Sequence, residues 1–308
     1  MYKYVLKRLV ALIPVVLGVT LLIFIIMSFT PGDPARMVLG NMASEEAVAE
    51  FRAAQGLDDP LIVRYFRYVL NMCRGSLGNS YRTGHSVLSE LMARFPATME
   101  LAFASIVFAV VLSVPIGVIS ALKQNSIFDN VGMVISLLGI AMPAFWLGLM
   151  LIIVFSLNLK LLPSSGAGSI KYLILPMITN GVSCCANIAR ITRSSMLEVI
   201  RQDYIRTARA KGVSKRDVTM KHAMKNCWIP IITVAGLQFG SMLGGTVIIE
   251  NVFGWPGVGD FLLKSITSKD TPCVLGSIVL YTIVFSIVNL LVDILYAYID
   301  PRIKAQYQ

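Results

Sequence analysis

The sequence predicts an all-α integral membrane protein: six transmembrane helices, both termini cytoplasmic, and a small helical extracytoplasmic insertion between the first two spans. Three observations carry that expectation. Apolar residues make up 56% of the 308-residue chain and charged residues only 14%. Six charge-free runs occur, at 9–32, 101–122, 130–159, 172–189, 226–249 and 271–292, and about 20 mostly apolar residues suffice to cross the hydrocarbon core. Charge is also one-sided. With the N-terminus inside and the sides alternating, the inner segments hold 16 Lys/Arg and 6 Asp/Glu, and the outer segments hold 11 of each. The whole net charge of +10 therefore lies on one face, as the positive-inside rule requires. The basic balance reports topology against a lipid bilayer and does not imply a nucleic-acid partner.

The run 9–32 follows Lys3, Lys7 and Arg8, as a signal peptide would. It is long for one, however. It ends in Thr30-Pro31-Gly32-Asp33-Pro34 rather than a small-x-small cleavage site. Residues 33–99 then form the one sizeable polar insertion. Ser44-Glu45-Glu46 reads as a helix start with acids in its first turn, and Gly56 as its end. A second amphipathic helix starts after Pro60, and a third, from Ser86, leads to Pro96 and the second span. In that span Ser105, Ala109, Ser113, Gly117 and Ala121 recur every four residues, as Gly236, Gly240 and Gly244 do in the fifth. Such small faces let helices approach closely in lipid. They fit packing within this chain or a seam with a partner subunit equally well. Pro14, Pro115 and Pro143 each remove a backbone hydrogen bond within a span and can kink it. The run 172–189 is the shortest and the least secure span. The five cysteines have no metal-ligand spacing. Cys73 and Cys273 share the outer side, yet nothing in the sequence brings them close, so they read as free thiols.

Residues 190–225 are unlike the rest, with ten Lys/Arg, three acids and no long apolar run. Residues 194–210 read as one helix, Gly212 as a break, and Ser214-Lys215-Arg216-Asp217 as a capping box that opens a second helix through His222 to Lys225. A helix lying on lipid carries bulky apolar residues along one face. Around the expected break, over 206–212, the apolar side chains are Ala208 and Ala210, which suits packing against protein.

This hairpin resembles the EAA loop of binding-protein-dependent ABC-importer permeases, whose pattern is Glu-Ala-Ala, three residues, Gly, and a downstream hydrophobic-Pro element. Arg206, Thr207 and Ala208 take the first three places and Gly212 the glycine, with Met224-Lys225 at the downstream element. The departures, Arg206 for the acid above all, resemble the peptide and nickel branch, where RTARAKG is the usual form. The likeness runs along the whole chain: Pro31-Gly32-Asp33-Pro34-Ala35, Gly56 to Leu61, Gly244 to Gly259, Asn289 to Asp293, and Asp300 to Ile303.

The resemblance implies one transmembrane domain over 1–308, with 33–99 as an extracytoplasmic helical loop and 190–225 as the cytoplasmic coupling loop. It implies a second related permease, two ATPase subunits that bind the ATP and Mg, and an extracytoplasmic solute-binding protein. Arg206, Thr207, Ala208, Arg209, Lys211 and Gly212 would couple to the ATPases. No cofactor and no metal site are expected in this chain, which lacks a GxxxxGK[ST] loop. Di- or oligopeptides are the implied cargo, with nickel or a metal chelate, or glutathione, as alternatives. Ionisable residues within spans are functional candidates by default. Glu250, with Trp255 beside it, is an outer-gate candidate, and Asp293 is a pathway candidate whose simpler role is a structural hydrogen bond. A secondary transporter or channel is the rival class. It would need acidic or filter chemistry at midplane depth, which the spans do not carry.

Overall fold

The computed structural model describes residues 2–40 and 42–299, with side chains at all of these except 2–4, 140 and 296–299. The Asp300-Pro301-Arg302-Ile303 element lies outside the described residues. Among those residues the chain is helical, with no strand beyond an isolated bridge between Asn79 and Ser86. Five helices are long and apolar enough to cross a membrane, and a sharply bent pair, Ile127–Gly139 with Ala144–Asn158, brings the number to six where it is counted as one span. The chain divides into two compact units, one of Tyr2–Thr98 with Trp255–Ser286, the other of Met99–Gly254 with the chain from Ile287.

The first unit begins with α1 (Tyr2–Phe29), whose Leu9, Ile13 and Leu22 stay exposed, as lipid-facing residues do. Its buried Thr20 hydroxyl donates to the Val16 carbonyl at 2.7 Å. Three short helices follow. Asp33 caps α2 (Pro34–Leu39), Ser44 Oγ accepts from the Ala47 amide to open α3 (Glu45–Gln55), and Gly56 closes α3 at φ +63°. α4 (Leu61–Cys73) starts after Pro60, and its Tyr65 hydroxyl donates to the Leu17 carbonyl of α1 at 2.8 Å. The third expected helix is no separate element. α5 (Val87–Leu122) runs unbroken through Pro96 and Pro115 into the second span.

α12 (Val258–Thr267) and the start of α13 (Thr271–Ile299) complete this unit. Val87, Leu91, Val258 and Cys273 form its buried core. Asp270 is 2% exposed. Its carboxylate accepts from the Ser80 hydroxyl and from the Tyr81 and Arg82 amides, at 3.2 and 3.4 Å for the two amides. The Lys269 ammonium donates to the carbonyls of Thr30 and Gly32. Burial lowers its pKa, and the Asp33 charge opposes that shift.

In the second unit α8 (Ile170–Ile200) is the central helix. The small-residue ladder of α5 packs on it, so that ladder is a seam within the chain. A Cβ on Gly117 would stand 2.6 Å from the Ala189 carbonyl oxygen, and one on Gly181 2.9 Å from the Ser105 carbonyl oxygen. Close approach of backbones in lipid requires such residues. The least secure run of the sequence thus belongs to the most enclosed span. In its most apolar 18-residue stretch 61% of residues are buried, against 17–28% in the other four.

The third span is broken. α6 (Ile127–Ala141) stops at Met142, which is extended before Pro143, and α7 (Ala144–Leu151) continues as a π-helical stretch, Ile152–Asn158. A residue preceding proline is pushed out of the helical region, so Pro143 ends α6 rather than merely bending it. Pro14 and Pro115, by contrast, lie inside helices that continue.

Candidate functional site

α8 ends at Ile200 and the chain turns at Arg201-Gln202, where Gln202 is extended (φ −71°, ψ 149°). The single helix expected over 194–210 is therefore two, with α9 (Asp203–Ala210) as the second. No Gly, Pro or side-chain cap marks the break, and Asp203 in the first turn of α9 is its only sequence signal.

α9 ends as a Schellman motif. The Val213 amide donates to the Ala208 carbonyl at 3.2 Å and the Gly212 amide to the Arg209 carbonyl at 3.0 Å. That closure places Gly212 in the left-handed region at φ +78°, which glycine enters without the penalty of a Cβ. Ser214 then caps the next helix, its Oγ accepting from the Asp217 amide at 3.1 Å. The Asp217 carboxylate accepts from the Ser214 hydroxyl, not from the backbone as a full capping box would have it. Hydrogen bonds from Lys221, then Ser214, hold the Asp217 carboxyl below the usual carboxylate range. α10 (Lys215–Asp217) passes through a π-helical stretch, Val218–Ala223, directly into α11 (Met224–Val252), so the second arm of the hairpin and the fifth span are one continuous rod. Ser214→Ala removes the cap, worth about 1 kcal/mol. The Asp217 amide is then expected to exchange roughly fivefold faster in hydrogen-exchange measurements.

The hairpin has two faces. Ile205, Ala208, Val218, Ala223 and Met224 are buried in one apolar cluster with Met196 and Cys227. Arg206, Thr207, Arg209, Lys211 and Gly212 are exposed. Arg206 lies 3.6 Å from Asp203, with both side chains more than three-quarters exposed, and such a pair contributes at most about 1 kcal/mol. Of the six residues singled out by sequence, Ala208 thus anchors the hairpin while the other five form an outward, mostly basic ridge.

The remaining candidates are dispersed. Glu250 is fully buried in the last turn of α11, and Asp293 lies half-buried on α13. One position before Asp293, Val292 covers Gly236. Trp255 is 3% exposed, and its indole N–H donates to the Ala97 carbonyl at 2.8 Å. The glycine ladder of α11 is divided: Gly236 and Gly240 are enclosed, whereas a Cβ on Gly244 or Gly245 would meet nothing within 4 Å. All five cysteines are free, Cys73 exposed and Cys273 buried. Sequence reading missed Asp129 and Arg193, a bidentate pair between a buried carboxylate and a half-buried guanidinium. The one local signal was an acid behind the capping Ser126 at the head of a 30-residue charge-free run.

Residues 113–305 match the family model described as the binding-protein-dependent transport system inner membrane component, and residues 1–102 match the N-terminal region of such membrane components. The chain belongs to this family. The permease is 42% identical to the dipeptide transport system permease protein DppB of Alkalihalophilus pseudofirmus, over 99% of this chain and 100% of that one. It is also 42% identical to the glutathione transport system permease protein GsiC of Escherichia coli, over 99% of both chains. Its fold resembles that of the inward-facing MetNI methionine ABC transporter, with TM-score 0.56 and 18% identity, over 69% of this chain and 97% of that chain. The permease is therefore a multi-pass inner-membrane subunit of an ABC importer, a non-catalytic component that works with ATPase and solute-binding partners.

Proposed function

We propose that this permease, paired with a second related permease, forms half of a pathway for short peptides and is driven through its 190–225 hairpin by two ATPase subunits that bind ATP and Mg. The hairpin then lies on the cytoplasmic side and the 33–99 connector on the outer side, where a solute-binding protein delivers cargo. The observation that carries this reading is the build of the hairpin. Ile205 and Ala208 seat it in the apolar cluster, Gly212 and Ser214 fix its turn, and the exposed ridge of Arg206, Thr207, Arg209 and Lys211 faces outward. A lever must be rigid at its root and presented at its tip, and this one continues as helix into the fifth span.

Gly212→Val tests the coupling. A Cβ there meets no neighbour within 4 Å, so the substitution acts through the backbone, where a left-handed residue other than glycine costs about 1–2 kcal/mol. The altered turn is expected to leave the permeases assembled while ATP-driven uptake falls at least tenfold. Normal uptake would refute the coupling role.

Cargo follows from the two named relatives, a dipeptide and a glutathione permease. Both solutes are short, carboxylate-bearing peptides, and no observation favours nickel. On the same reading Glu250, Trp255 and Asp293 border the pathway or its gates. Uptake of a labelled dipeptide mixture, glutathione and radioactive nickel, each with and without this gene, decides among the cargoes. Gene-dependent nickel entry alone would reject the peptide reading.

A further inference from the structure

We propose that Asp129 and Arg193 are a positioning pair that makes the start of α6 and the hairpin end of α8 one rigid body, so that a displaced hairpin carries α6 with it. The transport consequence rests on the coupling reading above; the rigid body does not.

The pair is built for direction as well as attraction. Arg193 Nε donates to Asp129 Oδ1 and Arg193 Nη2 to Oδ2, each at 2.7 Å. The two parallel bonds fix angle as well as distance. Asp129 is 2% exposed, and its Oδ2 also accepts from the Asn125 amide at 3.0 Å. Asn125 holds a left-handed φ of +61°, and Ser126 caps α6 by accepting from the Asp129 amide at 3.4 Å. The carboxylate therefore joins three elements: the turn after α5, the first turn of α6, and α8.

α6 needs such a tether. Ile127, Val134, Ile135 and Leu138 are all more than half exposed, so the helix is held along one face only. On that face Gly132 lies beside the Ser120 hydroxyl and Gly139 beside Val182, and at its start the Lys123 ammonium stands 4.1 Å from the Phe128 ring centre. Contacts of that kind permit sliding, whereas a bidentate fork on a buried carboxylate does not. Position matters too. Arg193 sits two helical turns before α8 ends, about 10 Å of continuous helix from the corner that starts α9. Buried ion pairs are weak evidence for stability compared with apolar packing. A single fixed geometry is what this pair supplies, at the point where the hairpin meets the spans.

The test uses the assembled transporter in nanodiscs, with spin labels at Ile135→Cys on α6 and Lys215→Cys on the hairpin in a Cys73→Ser background. The parent pair should give one narrow distance distribution. Asp129→Asn should broaden it at least twofold, and Arg193→Lys, which keeps the charge but loses the fork, should fall between. With a labelled dipeptide mixture as probe, Asp129→Asn should hydrolyse ATP within twofold of the parent yet move at least tenfold less peptide per ATP. An unchanged distribution in both variants overturns the positioning role whatever transport does. A broadened distribution with normal transport per ATP supports the rigid body and rejects the coupling reading instead.

Discussion

Gly117→Val is expected to abolish the assembled permease. A Cβ at this position would stand 2.6 Å from both the Ala189 carbonyl oxygen and Thr192 Cβ on α8. The first obstacle is backbone and the second the branch point of a buried residue, so no rotamer change relieves either. α5 and α8 must then separate, and the seam that encloses Ser105, Ala109, Ser113 and Ala121 opens with them. Overpacking costs about 1–3 kcal/mol and occasionally more. Valine adds two further methyl groups beyond the clashing Cβ, which sets the expectation at about 3 kcal/mol. The measurement is the yield and thermal midpoint of the purified complex. Gly244→Ala is the control, because a Cβ there meets nothing within this chain and alanine favours a helix by about 1 kcal/mol over glycine. An assembled, stable Gly117→Val complex would show that α5 and α8 do not pack as closely as described.

That seam marks how far the sequence could be read. The four-residue spacing on α5 announced a close-packed face, because spacing is a local property. It could not name the partner, since Cys185, Ala189 and Thr192 carry no periodic apolar signal of their own. The same limit explains why 172–189 looked the weakest span. Hydrophobicity measures exposure to lipid, and this helix, enclosed by its neighbours, carries Thr179, Asn180 and Thr192 on its buried faces. Asn180 even keeps a buried Nδ2 with no hydrogen-bond partner. The run 172–189 was short because Lys171 and Arg190 bound it, and the helix that contains it has the lowest mean hydropathy of the five long ones, 1.3 against 1.6–3.1.

The hairpin divides in the same way. Gly212 and Ser214 were legible because a left-handed closure and an N-cap are chemistry of adjacent residues. The corner at Arg201-Gln202 was not, because it uses ordinary residues and is imposed by the packing of Ile205 and Ala208 into the cluster around Met196 and Cys227. Pro143 and Pro115 carry the same residue type, yet one ends a helix and the other lies within one. Asp129 and Arg193 are 64 positions apart, and only the fold brings them together.

Asp270→Ala is expected to free the turn at residues 79–86 from the rest of its unit. Asp270 lies 2% exposed between α12 and α13. Removing its carboxylate strands the Tyr81 amide and the Ser80 O–H, and leaves the Arg82 amide with Ser80 Oγ as its acceptor. Hydrogen bonds to a charged acceptor contribute about 1.5–3 kcal/mol each, and a stranded buried donor costs about 1–3 kcal/mol. Partial access to water at the turn offsets part of this, so about 3 kcal/mol is the expected local loss. Hydrogen exchange at Tyr81 should accelerate on the order of 100-fold, since each 1.4 kcal/mol is a factor of ten, and less at Arg82, whose amide still donates to Ser80 Oγ. The consequence reaches function because the same region fixes the first span: Lys269, next in sequence, donates to the carbonyls of Thr30 and Gly32 where α1 ends. If the outer connector receives the solute-binding protein, Asp270→Ala should lower binding-protein-stimulated ATP hydrolysis while leaving the unstimulated rate intact. Equal loss of both rates would place the effect on assembly. Asp270→Asn separates the two contributions, because an amide oxygen still accepts one of the three bonds and should recover about a third of the lost protection in free-energy terms.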